Sequence, residues 1–316
     1  MIVTVTLNPS LDEWVSLPRL RMGELNRATG FLRYPGGKGI NVSRVVHELS
    51  GKTLAVALAG GRDGTMLSDL LTQQGIPHRF VTVPGVTRNN YQIHTDSPKA
   101  LTQINCPGPW VSNAALRTLE QLLRRLRPRA SCVVLSGSLP PGLLATTYQR
   151  VITWLNHARV PTVLDASGPA LRHGMVAAPW LIKPNRHEAE EFLGMRLPRL
   201  ADVAKAAKRL VTRGPQLAII SLGSDGALLA AQAHEEILWA KPPAVAVDSA
   251  VGAGDSLVAG FIVGWLRTRS LRRAFRLGVA CGAASAMTPG TELCHRADVA
   301  RLEPRVVVRV IESPSG

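Results

Sequence analysis

Short apolar runs separated by helical patterns recur along almost the whole chain, and this alternation constrains the fold more than any other feature. IVTVTL (2–7), TLAVAL (53–58), HRFVTV (78–83), SCVVLS (131–136), PTVLD (161–165), WLIK (180–183) and LAIISL (217–222) read as strands. Helical spacing lies between them at 40–49, 64–74 and 144–157, and closes the pattern at 253–267 and 271–287. Strands that are apolar throughout are covered on both faces, and the helices between them are the crossovers that join parallel neighbours. The pattern predicts an α/β fold, a doubly wound and mainly parallel sheet flanked by helices. Two segments break the rhythm, 12–34 and 87–105, where short alternating strands replace helices. They are expected to pair as a small β-sheet lid within one domain spanning 1–311, followed by a frayed tail at 312–316.

A chain of 316 residues that is 46% hydrophobic buries a sizeable core and is not disordered. No apolar run approaches the roughly 18 residues of a membrane span. The opening MIVTVTLNPS has no basic leader and no cleavage site, so the cytoplasm is the expected compartment. Cys106, Cys132, Cys281 and Cys294 lie too far apart for zinc spacing and read as small buried or semi-buried hydrophobes. The net charge of +15 raises a nucleic-acid reading. However, the basic residues are scattered, aromatics make up only 4%, and the dense runs RRLRPR (124–129) and RTRSLRR (267–273) fit solvated helix faces. No nucleic-acid partner is expected; attraction for phosphorylated metabolites is.

In an open parallel sheet, ligands bind beyond the carboxyl ends of the strands. Four glycine-containing or polar turns fall there: PGGKGIN (35–41), SGSLPPG (136–142), KPN (183–185) and SLGSDGA (221–227). SGKT at 50–53 is not a phosphate-binding Walker loop, because Val46 stands where its first glycine is required. HEAEE (187–191) lacks the second histidine of a zinc-protease helix. The stretch DSAVGAGDSLVAG (248–260) is more informative. A helix beginning near Ala253 leaves the N–H groups of Gly252, Ala253 and Gly254 free for an anion, and its dipole favours negative charge there. Asp255 then sits in the first turn, beside that pocket. Phosphoryl transfer to a hydroxyl needs both parts, an anion hole and a carboxylate to take the proton.

VGAGDS, with PGGKGINV upstream and KPNRHE and SLGSDGA between, resembles the ribokinase-like carbohydrate kinases of the PfkB family over essentially the whole chain. NPSLD (8–12), TRNN (87–90), SGSLPPG and TPGTELC (288–294) resemble its phosphosugar-kinase branch, which holds 6-phosphofructokinases, 1-phosphofructokinases and tagatose-6-phosphate kinases. The resemblance implies an ATP- and magnesium-dependent kinase that acts on a phosphorylated ketohexose. Fructose 6-phosphate is its first candidate, with fructose 1-phosphate or tagatose 6-phosphate as alternatives. It implies Asp255 as base and Gly252, Ala253 and Gly254 as the anion hole. Asp12, Gly37 and Asn41 would hold sugar hydroxyls, with Gly36, Lys38 and Gly39 in the close-approach loop. Arg88, Ser138 and Arg27 would reach the sugar phosphate, and an arginine fork suits that anion. Lys183 would meet the nucleotide phosphates, and Ser221, Gly223, Gly226 and Gly290 would line the nucleotide pocket. Asn185 and Glu188, one helical turn apart, would organise magnesium, partly through water. Carbonyls of Ser249, Val251 and Gly290 would hold a potassium ion, and lid segments would pair in a homodimer. Lys38 matches the 1-phosphofructokinase and tagatose-phosphate kinase patterns, where the 6-phosphofructokinase pattern has glycine. Glu24 stands near where that pattern has a sugar-phosphate lysine.

Overall fold

The computed structural model describes residues 1–311, and the tail expected to fray lies outside the described residues. In chain order the first half comprises β1 (Ile2–Thr6), β2 (Ser10–Leu17), β3 (Gly30–Gly36), α1 (Lys38–Glu48), β4 (Thr53–Ala59), α2 (Gly61–Gln73), β5 (His78–Thr82), β6 (Arg88–Asp96), β7 (Lys99–Asn105), α3 (Asn113–Leu126) and β8 (Cys132–Ser136). The second half comprises α4 (Thr147–His157), β9 (Thr162–Asp165), α5 (Gly168–Val176), β10 (Leu181–Ile182), α6 (Arg186–Leu193), α7 (Leu200–Val211), β11 (Leu217–Ser221), β12 (Ala227–Ala231), β13 (Ile237–Lys241), α8 (Ala253–Thr268), α9 (Leu271–Ser285), α10 (Arg296–Leu302) and β14 (Val307–Ile311).

Ten strands form the main sheet in the order β14-β13-β12-β11-β10-β9-β8-β1-β4-β5. From β5 to β11 every neighbour is parallel, as the alternation predicts. Successive side chains point to opposite faces, so Val3, Val5, Val133 and Leu135 pack under α3, α4, α5 and α7, while Ile2, Cys132 and Val134 pack with α1, α8 and α9. The antiparallel extension of β12, β13 and β14 was not expected, nor were α5, α7 and α10; α3 and α6 were expected only in part, at RRLRPR and at the Asn185–Glu188 turn. The strand expected over 180–183 is paired only at Leu181 and Ile182.

A second sheet of four strands runs β3-β2-β6-β7, with β2 and β6 parallel. It arises from the two expected segments, with corrected bounds. β2 starts at Ser10 rather than at residue 12, β3 continues to Gly36, and 18–29 carries no strand. Leu11, Ile40, Leu67, Leu71 and Ile76 form a small core that joins β2, α1 and α2 beneath this sheet. The four cysteines are free thiols.

Candidate active site

The parallel strands end on one edge, and that edge collects most of the residues singled out in the sequence. β1 leads to Asn8, β8 to Gly137 and Ser138, β9 ends in Asp165, β10 leads to Lys183 and β11 ends in Ser221. α8 starts beside them at Ala253. Gly252, at φ 78°, caps it without a side-chain bond, and a Cβ there would collide with Leu293 Cδ2. The N–H groups of Gly252 and Gly254 donate no hydrogen bond among the described residues, and that of Ala253 makes only a 3.4 Å contact with Ala250 O. These are the unclaimed donors of a helix start.

Asp255 follows in the first turn with 5% of its surface exposed. Asn41, from α1, donates Nδ2–H to Asp255 Oδ2 at 2.8 Å. Burial lifts the Asp255 carboxyl to about 6; Asp165 adds to the rise, while Lys38, the Asn41 bond and Lys183 oppose it. Asp165 was missed in the sequence, although an acid closing a buried strand at the carboxyl edge is a readable signal. Its Oδ1 receives Lys38 Nζ at 3.0 Å and faces Lys183 Nζ at 3.6 Å, and its buried Oδ2 has no partner. Burial alone would raise the Asp165 carboxyl, but the two ammonium groups hold it below its ordinary value. Lys38 loses charge stability to burial and regains more from Asp165, Asp255 and Glu188, so it stays above the usual lysine value. Lys183 borders the helix start: a Cβ on Gly254 would stand 3.1 Å from its Nζ. Two ammonium groups and a buried carboxyl therefore converge beside the unclaimed N–H groups at the start of α8.

The sugar-side candidates form a second cluster across the small sheet. Asp12 accepts from Ser10 Oγ at 2.8 Å and from Asn90 Nδ2 at 3.2 Å. Burial pushes its carboxyl upward against those bonds and the nearby Arg88 and Arg44. A Cβ on Gly36 would collide with the Asp12 carboxylate, and one on Gly39 would stand 2.5 Å from Thr6 Oγ1, so the loop 36–39 lies flat against its neighbours. Gly37 is the N-cap of α1. Arg88 donates Nη1–H to Cys106 O and Nη2–H to Asn8 O, each at 3.0 Å, while its buried Nε–H has no partner. Asn8 in turn donates to Ser138 Oγ at 3.1 Å. Asn8, absent from the sequence-based set, thus joins Arg88 and Ser138. Arg27 is exposed between β2 and β3 and makes no hydrogen bond or ion pair among the described residues. Glu24 pairs with Arg21 at 3.2 Å in the same segment.

Asn185 and Glu188 form a reciprocal capping box on α6. Asn185 Oδ1 accepts from Glu188 N–H and Glu188 Oε2 accepts from Asn185 N–H, both at 2.8 Å. That box satisfies helix-start donors and leaves Glu188 Oε1 unclaimed. Among the described residues no cluster of three or more His, Cys, Asp or Glu side chains could hold a metal. A bridge between Asn185 and Ser221 places Ser221, Gly223 and Gly226 on the same rim. Gly226 has a packing reason, since a Cβ there would collide with Ala240 O. Ser249 and Val251 lie just before α8, and the carbonyls of Ser249, Val251 and Gly290 accept no backbone hydrogen bond among the described residues.

A buried carboxyl beside unclaimed amide donors and two ammonium groups is equipment for phosphoryl transfer to a hydroxyl, so fold and site together define a phosphotransferase. A family model described as pfkB family carbohydrate kinase matches residues 6–298, and the chain belongs to that family of sugar kinases. It is 40% identical over 302 residues to "ATP-dependent 6-phosphofructokinase isozyme 2" of Mycobacterium tuberculosis, covering 95% of this chain and 88% of that protein. It is 36% identical over 308 residues to "1-phosphofructokinase" of Bacillus subtilis, covering 98% and 99%. The crystal structure of phosphofructokinase-2 from Escherichia coli in complex with potassium superposes with a TM-score of 0.90 at 32% identity, covering 96% and 98%.

Proposed function

We propose that the protein is an ATP-dependent phosphofructokinase that makes fructose 1,6-bisphosphate, with fructose 6-phosphate as acceptor. The observation that carries this reading is the Asp255 carboxylate, buried, lifted to about 6 and held by Asn41 beside the free N–H groups of Gly252 and Gly254. Asp255 takes the proton of the sugar's free primary hydroxyl as its oxygen attacks the terminal phosphorus of ATP, and ADP departs. The amides of 252–254 and Lys183 stabilise the charge on the transferring group. Lys38, 3.0 Å from Asp165 Oδ1, supplies a second cation beside the same path. Asp12 accepts from sugar hydroxyls, and Arg88, whose buried Nε–H has no protein partner, meets the phosphate the sugar already carries. The small sheet covers the sugar and excludes water from the transfer.

Magnesium bound with the nucleotide phosphates supplies charge neutralisation. Glu188 Oε1, the one oxygen left by the capping box, fits an ion that keeps most of its water. The unclaimed carbonyls of Ser249, Val251 and Gly290 are a hard-oxygen set of the kind a potassium ion takes. Phe31, Tyr91 and Ile104 are exposed on the face of the small sheet opposite Asp12, which supports pairing of two such sheets in a homodimer.

A second reading, fructose 1-phosphate as acceptor, is favoured by Lys38 and by Glu24, which is exposed and paired with Arg21. Either acceptor yields the same bisphosphate. The test is ADP release from magnesium-ATP with fructose 6-phosphate, fructose 1-phosphate, tagatose 6-phosphate and fructose in parallel. Preference for fructose 6-phosphate supports the first reading and preference for fructose 1-phosphate the second. Preference for unphosphorylated fructose would overturn both.

A further inference from the structure

Arg44 is a buried cation that neither the base nor the phosphate contacts account for. It lies on α1, one turn after Asn41, with 8% of its surface exposed. Its guanidinium meets five oxygens from four separate places in the fold. Nε–H reaches Gln74 Oε1 at 3.0 Å, just past the end of α2. Nη1–H reaches Thr291 O at 2.8 Å and, at longer range, Pro35 O at 3.4 Å and Asn41 Oδ1 at 3.5 Å. Nη2–H reaches Glu292 O at 3.4 Å. Three acceptors are backbone carbonyls and two are side-chain amides, so no carboxylate balances the charge directly. Burial accordingly pushes the guanidinium down to about 10, with Asp12, Tyr34 and Glu292 opposing from further away. A buried charge without an ion-pair partner costs stability that ordinary packing would avoid.

The acceptors suggest what that charge is for. Thr291 and Glu292 belong to the loop after α9. At one end of this loop, a Cβ on Gly290 would stand 3.0 Å from Tyr34 Cε2 and 3.2 Å from Trp14 Cε3, both on the small sheet. At the other end, Leu293 lies over Gly252 of the anion hole. The loop therefore bridges the small sheet and the start of α8, and Arg44 holds its carbonyls from beneath. The same guanidinium reaches Pro35, near the end of β3, and Asn41, the partner of Asp255.

We propose that Arg44 is a positioning residue that locks the end of β3, the Asn41–Asp255 pair and the loop 288–294 into one unit, so that occupation of the anion hole is felt by the small sheet. The proposal rests on the kinase reading only in that the hole accepts nucleotide phosphate. A planar fork is required, because only guanidinium can address the three Nη-side carbonyls and Gln74 at once. Lysine keeps the charge and loses the geometry.

The experiment is amide hydrogen exchange of segments 30–36 and 288–294, with and without magnesium and a non-hydrolysable ATP analogue, in the wild-type chain and in Arg44→Lys. In the wild type both segments are expected to gain protection together. In Arg44→Lys, 288–294 is expected to gain it while 30–36 does not, and turnover falls about 10- to 100-fold with the ATP KM changed less than about threefold. A merely structural arginine would lower the melting temperature and leave the two segments linked. The proposal is overturned if 30–36 stays unprotected in the wild type, or if the two segments remain linked in Arg44→Lys. The wild-type comparison needs no variant, so the proposal stays refutable even where the variant fails to fold. No sugar is present, so silence toward every acceptor sugar would sink the phosphofructokinase reading and leave this result standing.

Discussion

Replacing Asp255 with asparagine separates the two consequences of burying a base. The carboxyl is lifted from 3.8 to about 6, chiefly by burial, with Asp165 adding to the rise and Lys38, Asn41 and Lys183 opposing it. Between those values the folded protein keeps a proton that the unfolded chain has released. Stability therefore falls as pH rises through that window, and the full cost is present above it. At about 1.36 kcal/mol per pH unit, the cost above pH 6 comes to about 3 kcal/mol. The substituted amide would keep the shape and the bond to Asn41 and could not ionise. Asp255→Asn should thus match the wild type near pH 4 and exceed it by up to about 3 kcal/mol at pH 7 to 8. Turnover should fall about 10²–10⁴-fold, with nucleotide binding roughly intact. Urea denaturation of both proteins from pH 4 to 8 reads the stability difference directly. A difference that does not vary with pH, or a variant less stable at pH 8, would refute the reasoning, and so would unchanged turnover.

Asn41→Ala removes the bond that lowers the Asp255 carboxyl, so the acid limb of the rate profile should move to higher pH, with turnover down about tenfold. Glu188→Ala breaks the capping box of α6 and should cost about 1 kcal/mol in urea denaturation; a raised magnesium requirement in the same variant would show the second use of that side chain, and an unchanged one would confine it to the cap. Arg88→Lys loses the fork that spans Asn8 O and Cys106 O, and should raise the phosphosugar KM about 10- to 100-fold while the KM for ATP holds. Gly36→Ala drives a Cβ into the Asp12 carboxylate and should abolish sugar use in steady-state assays while the ATP analogue still binds by calorimetry.

The parallel half of the fold was legible because its strands are apolar on both faces and helices separate them, a pattern that few other architectures share. The antiparallel edge was not. ALLAA and ILWAK are short, one is rich in alanine, and neither is set off by a helix. α7 was missed because half of its buried face is alanine, at Ala204, Ala206 and Ala207, which marks a helical period less sharply than larger side chains do. At the site, the proposed base and anion hole were placed by one short stretch, since glycine, acid and helix start occur together there. Asp165 and Asn8 were harder, because each is a single polar residue whose meaning depends on which strand ends lie beside it. Arg44 gave no sequence signal at all: its five acceptors are mostly backbone oxygens, brought together only by the fold. Arg27 is the opposite case, a residue chosen on the resemblance alone, which lies exposed in the segment between β2 and β3 with no contact among the described residues that speaks for or against its role.

The measurement that tests the central claim most directly is the pH dependence of kcat/KM for the preferred phosphosugar from pH 5 to 8, at saturating magnesium-ATP. The account predicts activity that falls tenfold per pH unit below an acid limb near 6, set by Asp255. A rate that stays flat down to pH 5 would contradict Asp255 as the base.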